Sequence, residues 1–297
     1  MLPRFPAFKK LELTDRVDIE LITLNYPPYS DFNFVSMWSW DIRNNVLISE
    51  LNGNLVVKFT HYLTGESFYS YLGQNKTTET ALMVLDLSAK EGLGNSIKLV
   101  PHDSISGLDL SSLQIFEDRD NFDYIILIDH LKDYKPKKLY SRRKEVNSLL
   151  KRFTLDLRPI DLSQIDIQKK IFHLIAEKAA YDNKVVDNEK LAISRLITGH
   201  KKINILAFGI FIAEELVAFC FSEALNNNYA TSHFWKANTK ISQSLYAYLM
   251  QEKAKLLHKD GFEFLNIEQD LGLDNLRKWK ESYGTELFLK KFIVTKI

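Results

Sequence analysis

The chain has 297 residues, more than one hydrophobic core usually serves, so two domains of roughly 150 residues each are expected. Its 45% hydrophobic and 26% charged residues are ordinary globular values and argue against a disordered chain. No run approaches the roughly 20 apolar residues that cross a bilayer, and the first residues lack the apolar core of a signal peptide. We therefore expect a cytoplasmic protein.

The formal charge of +1 conceals one strongly basic segment. Residues 132–152 contain nine lysine and arginine residues against Asp133 and Glu145, a local charge of +7, so all other residues together carry −6. Such a segment indicates an anionic partner, which could be RNA, a phosphate-rich cofactor or a lipid headgroup. A solvated helix face without a partner is the alternative.

Several common chemistries lack their sequence signals. The seven histidines are scattered and the one cysteine, Cys220, lies in the apolar run VAFCF, so metal-ligand spacing is missing and we expect no bound metal. Cys220 is predicted to be a buried apolar residue. Neither a phosphate-binding GxxxxGK[ST] or GxGxxG loop nor a GxSxG nucleophile elbow is present, which argues against the commonest nucleotide folds and against serine hydrolysis.

Hydrophobic periodicity predicts the elements of the first half in chain order. Three strands come first, with Gly53 in an Asn-Gly turn between the first two, and a helix follows whose apolar residues recur at helical spacing. A short strand, a helical turn and a strong strand complete this half. The predicted ranges are 46–51, 55–59, 67–72, 77–90, 97–100, 104–116 and 124–128.

The second half repeats that order after a mostly helical connection, whose last helix we expect to begin at Asp187 and end before Gly199. The repeated order predicts a duplicated mixed sheet with helices packed on it. The connecting helices are predicted at 138–152, 164–181 and 187–198; the repeated elements at 203–212, 216–225, 229–234, 242–259, 262–267, 273–282 and 287–294.

Polar residues cluster where the strand predicted at 262–267 ends. Asn266, Glu268 and Asp270 occupy alternate positions and should point to one side, at the strand end where ligands of open α/β sheets collect. On the following helix, Arg277 and Lys280 are three residues apart and could face those carboxylates. A salt-bridged surface helix capped by Asp270 or Asp274 is the alternative interpretation.

Four segments carry a resemblance to a known family. They are SDFNFVSMWSW at 30–40, LYSRRKEVNSLLKRF at 139–153, SHFWKA at 232–237 and NIEQDLGLDNLRKWKESY at 266–283. In this order they resemble the phosphatidylglycerol lysyltransferase C-terminal domain family. The resemblance implies an α/β (α+β) chain of two tandem GNAT-like acyltransferase domains, each a mixed, mostly antiparallel sheet flanked by helices. We place these domains at 1–136 and 137–297, with the active site in the second.

The resemblance also implies a function. Better-known members transfer an aminoacyl group from a charged tRNA to a lipid headgroup, which implies tRNA and a membrane surface as partners. Three departures suggest a different acceptor: Trp235 replaces an acidic residue, Ile267 and Gln269 replace polar or acidic ones, and Gly284-Thr285 lacks a proline. The residues that match the family's motifs fall in three segments. They are Arg143, Lys144 and Asn147 in the basic segment, His233 and Lys236 in SHFWKA, and Glu268, Asp270, Arg277, Lys280 and Tyr283 in the last segment.

These residue types suit an acyl transfer without a covalent intermediate, in which cations stabilise the developing oxyanion. We assign Lys236 and Arg277 that role. Glu268 or Asp270 would orient an ammonium group or accept its proton, with His233 as another candidate base or as an ordinary strand histidine. The predicted substrate-binding residues are Arg143, Lys144, Asn147, Asn266, Lys280 and Tyr283.

The donor is better explained as aminoacyl-tRNA than as acyl-CoA. GNAT enzymes hold the pyrophosphate of CoA on a glycine-rich turn before a long helix, and residues 237–244 at that place contain no glycine. The basic segment could instead follow an RNA backbone. Two alternatives remain, an acyl-CoA-dependent N-acyltransferase and a catalytically silent ligand- or RNA-binding protein of the same fold.

Overall fold

The computed structural model describes residues 1–61, 64–176, 183–225 and 228–297, apart from the side chains of residues 183–186. Within these ranges the strands are β1 (Lys9–Lys10), β2 (Leu47–Leu51), β3 (Asn54–Thr60), β4 (Ser67–Leu72), β5 (Ser96–Pro101), β6 (Leu113–Glu117), β7 (Asp123–Leu127), β8 (Asp156–Pro159), β9 (Leu206–Ile212), β10 (Glu215–Ala224), β11 (Tyr229–Ala237), β12 (Phe264–Asn266), β13 (Leu287–Leu289) and β14 (Lys291–Lys296). The α-helices are α1 (Arg16–Thr23), α2 (Phe34–Trp40), α3 (Thr77–Lys90), α4 (His102–Ile105), α5 (Ile128–Leu131), α6 (Tyr140–Leu150), α7 (Ile165–Ala176), α8 (Asn183–Gly199), α9 (Leu245–Lys259) and α10 (Asp274–Glu281).

The chain forms two compact units, each built from separate segments. Unit 1 consists of Met1–Asp123, Gln269–Leu273 and Phe288–Ile297. Unit 2 consists of Tyr124–Glu268 and Asp274–Leu287. The division of the sequence at residues 136 and 137 stays a prediction.

Unit 1 contains two antiparallel sheets, one with the strand order β1-β2-β3-β4 and one with the order β5-β14-β6. The turn between β2 and β3 contains Asn52 and Gly53, both with positive φ (57° and 81°), as the Asn-Gly signal predicts for a tight hairpin. Helix α3 buries Ala81, Val84 and Leu85 in the unit's core, which confirms the helical spacing found in the sequence.

Unit 2 contains most of a seven-stranded sheet with the order β13-β7-β12-β11-β10-β9-β8. Strands β11 and β12 are parallel, whereas β7 with β12 and the pairs from β8 to β11 are antiparallel. Helix α9 packs on this sheet and buries Leu249, Ala254 and Leu257. Cys220 lies fully buried in β10, as its apolar surroundings predict. The predicted fold class, mixed and mostly antiparallel sheets flanked by helices, is therefore confirmed.

Three sequence-based predictions differ from the structure. Residues 104–116 are not one helical turn, because the strand β6 begins at Leu113 and is stabilised by β14, a partner far along the chain. The single closing strand at 287–294 is two strands separated by Lys290. Helix α8 begins at Asn183, so Asp187 lies inside it and is not its N-cap; the end of the helix predicted at 164–181 lies outside the described residues.

Candidate functional site

The candidate site lies where strands β11 and β12 of unit 2 part. Their parallel register joins Tyr229–Thr231 to Phe264–Asn266, after which β12 ends while β11 continues to Ala237. On the other edge of β11, Ser232 pairs with Ser222 and Phe234 pairs with Phe221, so His233 is the extra residue of a β-bulge. Bulges turn a side chain away from regular alternation and often occur beside active sites.

His233 is buried between two carboxylates. Its Nε2 lies 3.3 Å from Oε2 of Glu223 on β10, and its Nδ1 lies 3.5 Å from Oε1 of Glu268 just after β12. Burial alone would lower the pKa of His233, but the hydrogen bonds to Glu223 and Glu268 outweigh it and raise the pKa to about 9. The imidazole is therefore an imidazolium at neutral pH and has no lone pair with which to accept a proton.

Glu268 is held by an unusual backbone conformation. Its φ is 61°, in the left-handed region that non-glycine residues seldom adopt and that costs on the order of 1 kcal/mol. The fully buried Asn266 accepts a hydrogen bond from the Glu268 amide through its side-chain oxygen at 2.6 Å. The two predicted residues Asn266 and Glu268 thus act together, the first fixing the turn that directs the second towards His233.

Two of the predicted residues around α10 are buried near the end of β12. Lys280 donates a hydrogen bond to the carbonyl oxygen of Ile267 at 2.6 Å and lies 5.8 Å from the ring centroid of Tyr124. Tyr283, just after α10, is fully buried, and its hydroxyl has no hydrogen-bond partner among the described residues. Burial raises the pKa of Tyr283, so the phenol is neutral. A buried hydroxyl without a hydrogen bond lowers the stability of the folded state, so such a group needs an explanation.

A residue that the sequence reasoning missed, Lys253 of α9, lies beneath the same region. Its side chain is fully buried and donates a hydrogen bond to Oγ of Ser232 at 2.8 Å. Its Nζ lies 4.4 Å from the ring centroid of Trp235. Burial lowers the pKa of Lys253 below its ordinary value.

Four aromatic residues of unit 2, Trp235, Tyr246, Trp279 and Tyr283, form what we call the aromatic cluster. The ring centroids of Trp235 and Trp279 are 4.7 Å apart, those of Trp279 and Tyr283 are 5.0 Å apart, and Tyr246 lies about equally far from both tryptophans, at 6.0 and 5.9 Å. Trp235, Tyr246 and Trp279 are half-buried, so part of each ring is open to solvent.

Two further predicted cations of unit 2 are Lys236 and Arg277. Lys236 on β11 forms an ion pair with Glu189 of α8 at 2.7 Å, and although burial opposes it, this carboxylate raises the pKa of Lys236. Arg277 is half-buried on α10.

On the basic helix α6, the residue that turns towards the aromatic cluster is Arg142, which the sequence reasoning did not select. Its guanidinium lies 4.8 Å from the ring centroid of Tyr283 and binds Glu145 at 2.9 Å. Of the predicted residues, Arg143 and Lys144 lie over Tyr140, which is itself exposed, and Asn147 is also exposed.

Asp270 belongs to unit 1, where its fully buried carboxylate is bound within a turn. It accepts hydrogen bonds from Arg119 at 3.2 Å and from the amide of Gly272 at 2.9 Å. Gly272 has a φ of 72°, and a Cβ atom there would lie 2.8 Å from Asp120, so the turn requires glycine. Asp270 therefore stabilises this turn, whereas Glu268 is part of unit 2.

Within the described ranges, histidine, cysteine and carboxylate side chains form no group that could hold a metal ion. In the same part of the chain, none of the helices combines the length and apolar composition that crossing a bilayer requires.

Sequence comparison assigns the chain to a family. Residues 99–295 match the protein family described as phosphatidylglycerol lysyltransferase, C-terminal, and this range is more than half of the chain. The chain belongs to this family. The resemblance to this family is thereby confirmed, and three of the four sequence segments, at 139–153, 232–237 and 266–283, lie in the matched range. Among curated proteins, none matches the chain in sequence.

Solved structures similar to this family member show the same fold. A conserved protein of unknown function from Bacteroides thetaiotaomicron aligns over 100% of both chains with a TM-score of 0.85 and 23% identity. A second similar structure is the C-terminal domain of a protein assigned as a lysylphosphatidylglycerol synthetase from Agrobacterium fabrum. The alignment covers 96% of this chain and 92% of that domain, with a TM-score of 0.66 and 11% identity. A tandem GNAT protein from the clavulanic acid biosynthesis pathway aligns over 98% of both chains with a TM-score of 0.50 and 8% identity. The fold is thus GNAT-like.

The connection from β11 to α9 departs from a CoA-binding turn in this family member. The amides of Lys240, Ile241 and Ser242 all donate to oxygen atoms of Asn238, and the amide of Ser244 donates to Oγ of Ser242. Leu245 and Tyr246 donate to carbonyl groups of the same segment. Amides that bind within their own turn are not free to bind a pyrophosphate.

Proposed function

We propose that this chain is an aminoacyltransferase that moves an aminoacyl group from aminoacyl-tRNA to an amine or hydroxyl of a lipid, peptide or small-molecule acceptor. The observation that carries the proposal is the buried Glu223–His233–Glu268 series at the point where β11 and β12 part. Membership of a transferase family supports the reaction class. The internally bonded turn before α9 favours tRNA over acyl-CoA as donor.

In the proposed reaction, the acceptor nucleophile attacks the ester carbonyl carbon of the aminoacyl-tRNA. The new bond from carbon to nitrogen or oxygen forms, the bond to the ribose oxygen breaks, and the nucleophile's proton passes to that ribose oxygen. Glu268 carries the proton, because His233 is already protonated at neutral pH. His233, held by Glu223, positions the Glu268 carboxylate.

Cations near the carboxylate would stabilise the negative charge of the tetrahedral intermediate. Lys236 and Arg277 keep this role in the proposal, and the buried Lys253 and Lys280 join them as candidates. We propose Asp270 as a residue that stabilises the turn before α10 and not as a base, since Arg119 and Gly272 bind its carboxylate.

The test uses purified protein, a set of radiolabelled aminoacyl-tRNAs, and either a lipid extract or short peptides as acceptor. We expect tRNA-dependent transfer of label to one acceptor class. Glu268→Gln should lower the rate by about 10² to 10⁴-fold, the usual contribution of a general base. Lys255→Ala, an exposed position on α9, is the matched control and should keep the wild-type rate.

Two results would contradict the proposal: no label transfer from any charged tRNA to any acceptor, or a wild-type rate for Glu268→Gln. Transfer from acyl-CoA in place of aminoacyl-tRNA would support the N-acyltransferase alternative.

A further inference from the structure

The aromatic cluster is partly open to solvent. Its members come from three segments, β11, α9 and the end of α10, and three of its four rings are half-buried. Ring centroids 4.7 to 6.0 Å apart lie in the range that favours edge-to-face and tilted packing, and partly open rings can extend that packing to a guest.

Two buried polar groups at the cluster point to a ligand. The hydroxyl of Tyr283 is fully buried and has no hydrogen-bond partner in the part of the chain that the structure describes. The ammonium of Lys253 is also fully buried, and its recorded hydrogen bond is the one to the neutral hydroxyl of Ser232. Buried groups with unused hydrogen-bonding capacity are rare because each costs stability, so they mark a place where a further polar atom binds.

The charges around the cluster select against a cationic guest. Neighbouring carboxylates already have cations: Glu145 binds Arg142 at 2.9 Å and Glu189 binds Lys236 at 2.7 Å. The Glu268 carboxylate, which acts electrostatically on Lys253, lies 3.5 Å from the protonated His233. Lys253 lies against the Trp235 ring, and its hydrogen bond is to the neutral hydroxyl of Ser232 and not to a carboxylate. An ammonium or guanidinium group entering beside the protonated Lys253 would be repelled.

We propose that the aromatic cluster binds the side chain of the donor amino acid and is specific for a neutral, aromatic or large apolar side chain, with Lys253 excluding cationic ones. The inference rests on the proposed function, because it names the donor class of the same site. In this arrangement the guest side chain stacks on Trp235 and Trp279, and the Tyr283 hydroxyl and the free donors of Lys253 bind polar atoms of the aminoacyl group.

The test measures binding without tRNA or transfer, so it can be separated from the test of the proposed function. The probes are phenylalaninamide, leucinamide and lysinamide, whose amides stand for the esterified carboxyl group of the donor. Isothermal calorimetry on the full chain should give an affinity for phenylalaninamide or leucinamide at least 10-fold higher than for lysinamide.

Variants locate the site and the cause of the selectivity. Trp235→Ala should weaken phenylalaninamide binding at least 10-fold, whereas Trp235→Phe should restore most of it. Lys253→Met should raise the affinity for lysinamide relative to that for phenylalaninamide about 10-fold. Lys255→Met, on the same helix but exposed, should change neither. Thermal melting checks that each variant is folded. If Lys253→Met does not fold, Trp235→Asp tests the charge argument, because the added carboxylate should raise the affinity for lysinamide.

The inference is overturned if lysinamide binds as tightly as the neutral probes, if no neutral probe binds, or if Trp235→Ala keeps wild-type affinity. Neutral-probe binding combined with no transfer from any charged tRNA would refute the proposed function and leave the pocket. Transfer of lysine from lysyl-tRNA, together with tight lysinamide binding, would support the proposed function and refute the proposed selectivity of the aromatic cluster.

Discussion

The protonation of His233 depends on two side chains that the sequence does not place near it. Glu223 is ten residues earlier, on the adjacent strand, and Glu268 is thirty-five residues later, and only the pairing of β10, β11 and β12 brings the three together. The sequence analysis selected His233 and Glu268 but not Glu223. It therefore left His233 as a candidate base, a role that an imidazolium cannot fill at neutral pH.

The raised pKa of His233 makes a stability prediction. Because the folded pKa, about 9, exceeds the unfolded value of about 6.5, the contribution is complete below pH 6.5 and is lost as the pH rises through 9. The full effect is on the order of 3 kcal/mol. We expect the difference in unfolding free energy between wild type and His233→Gln, measured by urea denaturation, to shrink steadily from pH 6 to pH 10.

Nuclear magnetic resonance provides the control. The His233 ring should titrate well above pH 7 in the wild type and at a lower pH in Glu223→Gln, since that variant removes one hydrogen-bonded carboxylate. A His233 titration near pH 6.5 in the wild type would contradict the assignment of an imidazolium.

Lys253 shows that a signal can be present in a sequence and still be overlooked. Leu249, Met250, Ala254 and Leu257 form the buried face of α9, and Lys253 lies within that face by helical spacing. A lysine among apolar positions departs from the pattern of an amphipathic helix, and such departures occur at functional sites. What the spacing could not supply was its neighbour Trp235, which comes from β11.

At the scale of elements, the apolar pattern predicted a strand at the end of the chain but did not predict which strands it pairs with. Strand β14 lies between β5 and β6 in unit 1, nearly two hundred residues away along the chain. Strand β6 has only five residues, and its apolar residues fit a helical turn as well as a strand until its partner is known. Pairing across such a separation is decided by tertiary contacts, because local propensity is weak in short strands.

Strand β14 carries a buried ion cluster that fixes it in unit 1. Lys291 is fully buried, donates hydrogen bonds to Asp123 at 2.9 Å and Ser30 at 3.2 Å, and forms an ion pair with Asp31. Lys291→Met would leave the carboxylates without their cation. We expect a loss of about 3 to 5 kcal/mol in the free energy of unfolding, measured by urea denaturation.

Lys296→Met is the matched control, because Lys296 lies on the same strand but pairs with Asp86 at the exposed surface. Its effect should stay within about 0.5 kcal/mol. Equal effects of the two substitutions would show that the buried cluster does not hold the strand.

At the scale of the whole molecule, charge is concentrated on one segment although the net charge is only +1. Several cations of residues 132–152 are already paired, among them Lys132 with Asp129 and Arg142 with Glu145. The exposed side chains left to meet a phosphate backbone include Lys137, Lys138, Lys144, Lys151 and Arg152, with Arg143 half-buried beside Tyr140. This surface is the proposed contact with tRNA.

Salt dependence tests the contact. If Arg143 and Lys144 each neutralise one phosphate, Arg143→Gln with Lys144→Gln should lower the slope of log affinity against log salt by roughly 1.5 to 2. Fluorescence anisotropy with labelled tRNA at several salt concentrations measures it. Lys169→Gln with Lys255→Gln, at exposed positions elsewhere in unit 2, should leave the slope unchanged; the same slope for both double variants would contradict the proposed surface.

The sequence by itself determined the class of the fold, most element positions and the family. Hydrophobic periodicity and turn residues are local properties, and motif spacing survives where overall similarity is low. Only the tertiary structure decided which strands pair, that Asp270 binds Arg119 in unit 1 while Glu268 binds His233 in unit 2, and that Lys253 and Arg142 join the aromatic cluster. The reason is physical: charge states and pockets depend on burial and on partners distant in sequence, and neither is encoded in the spacing of any one segment.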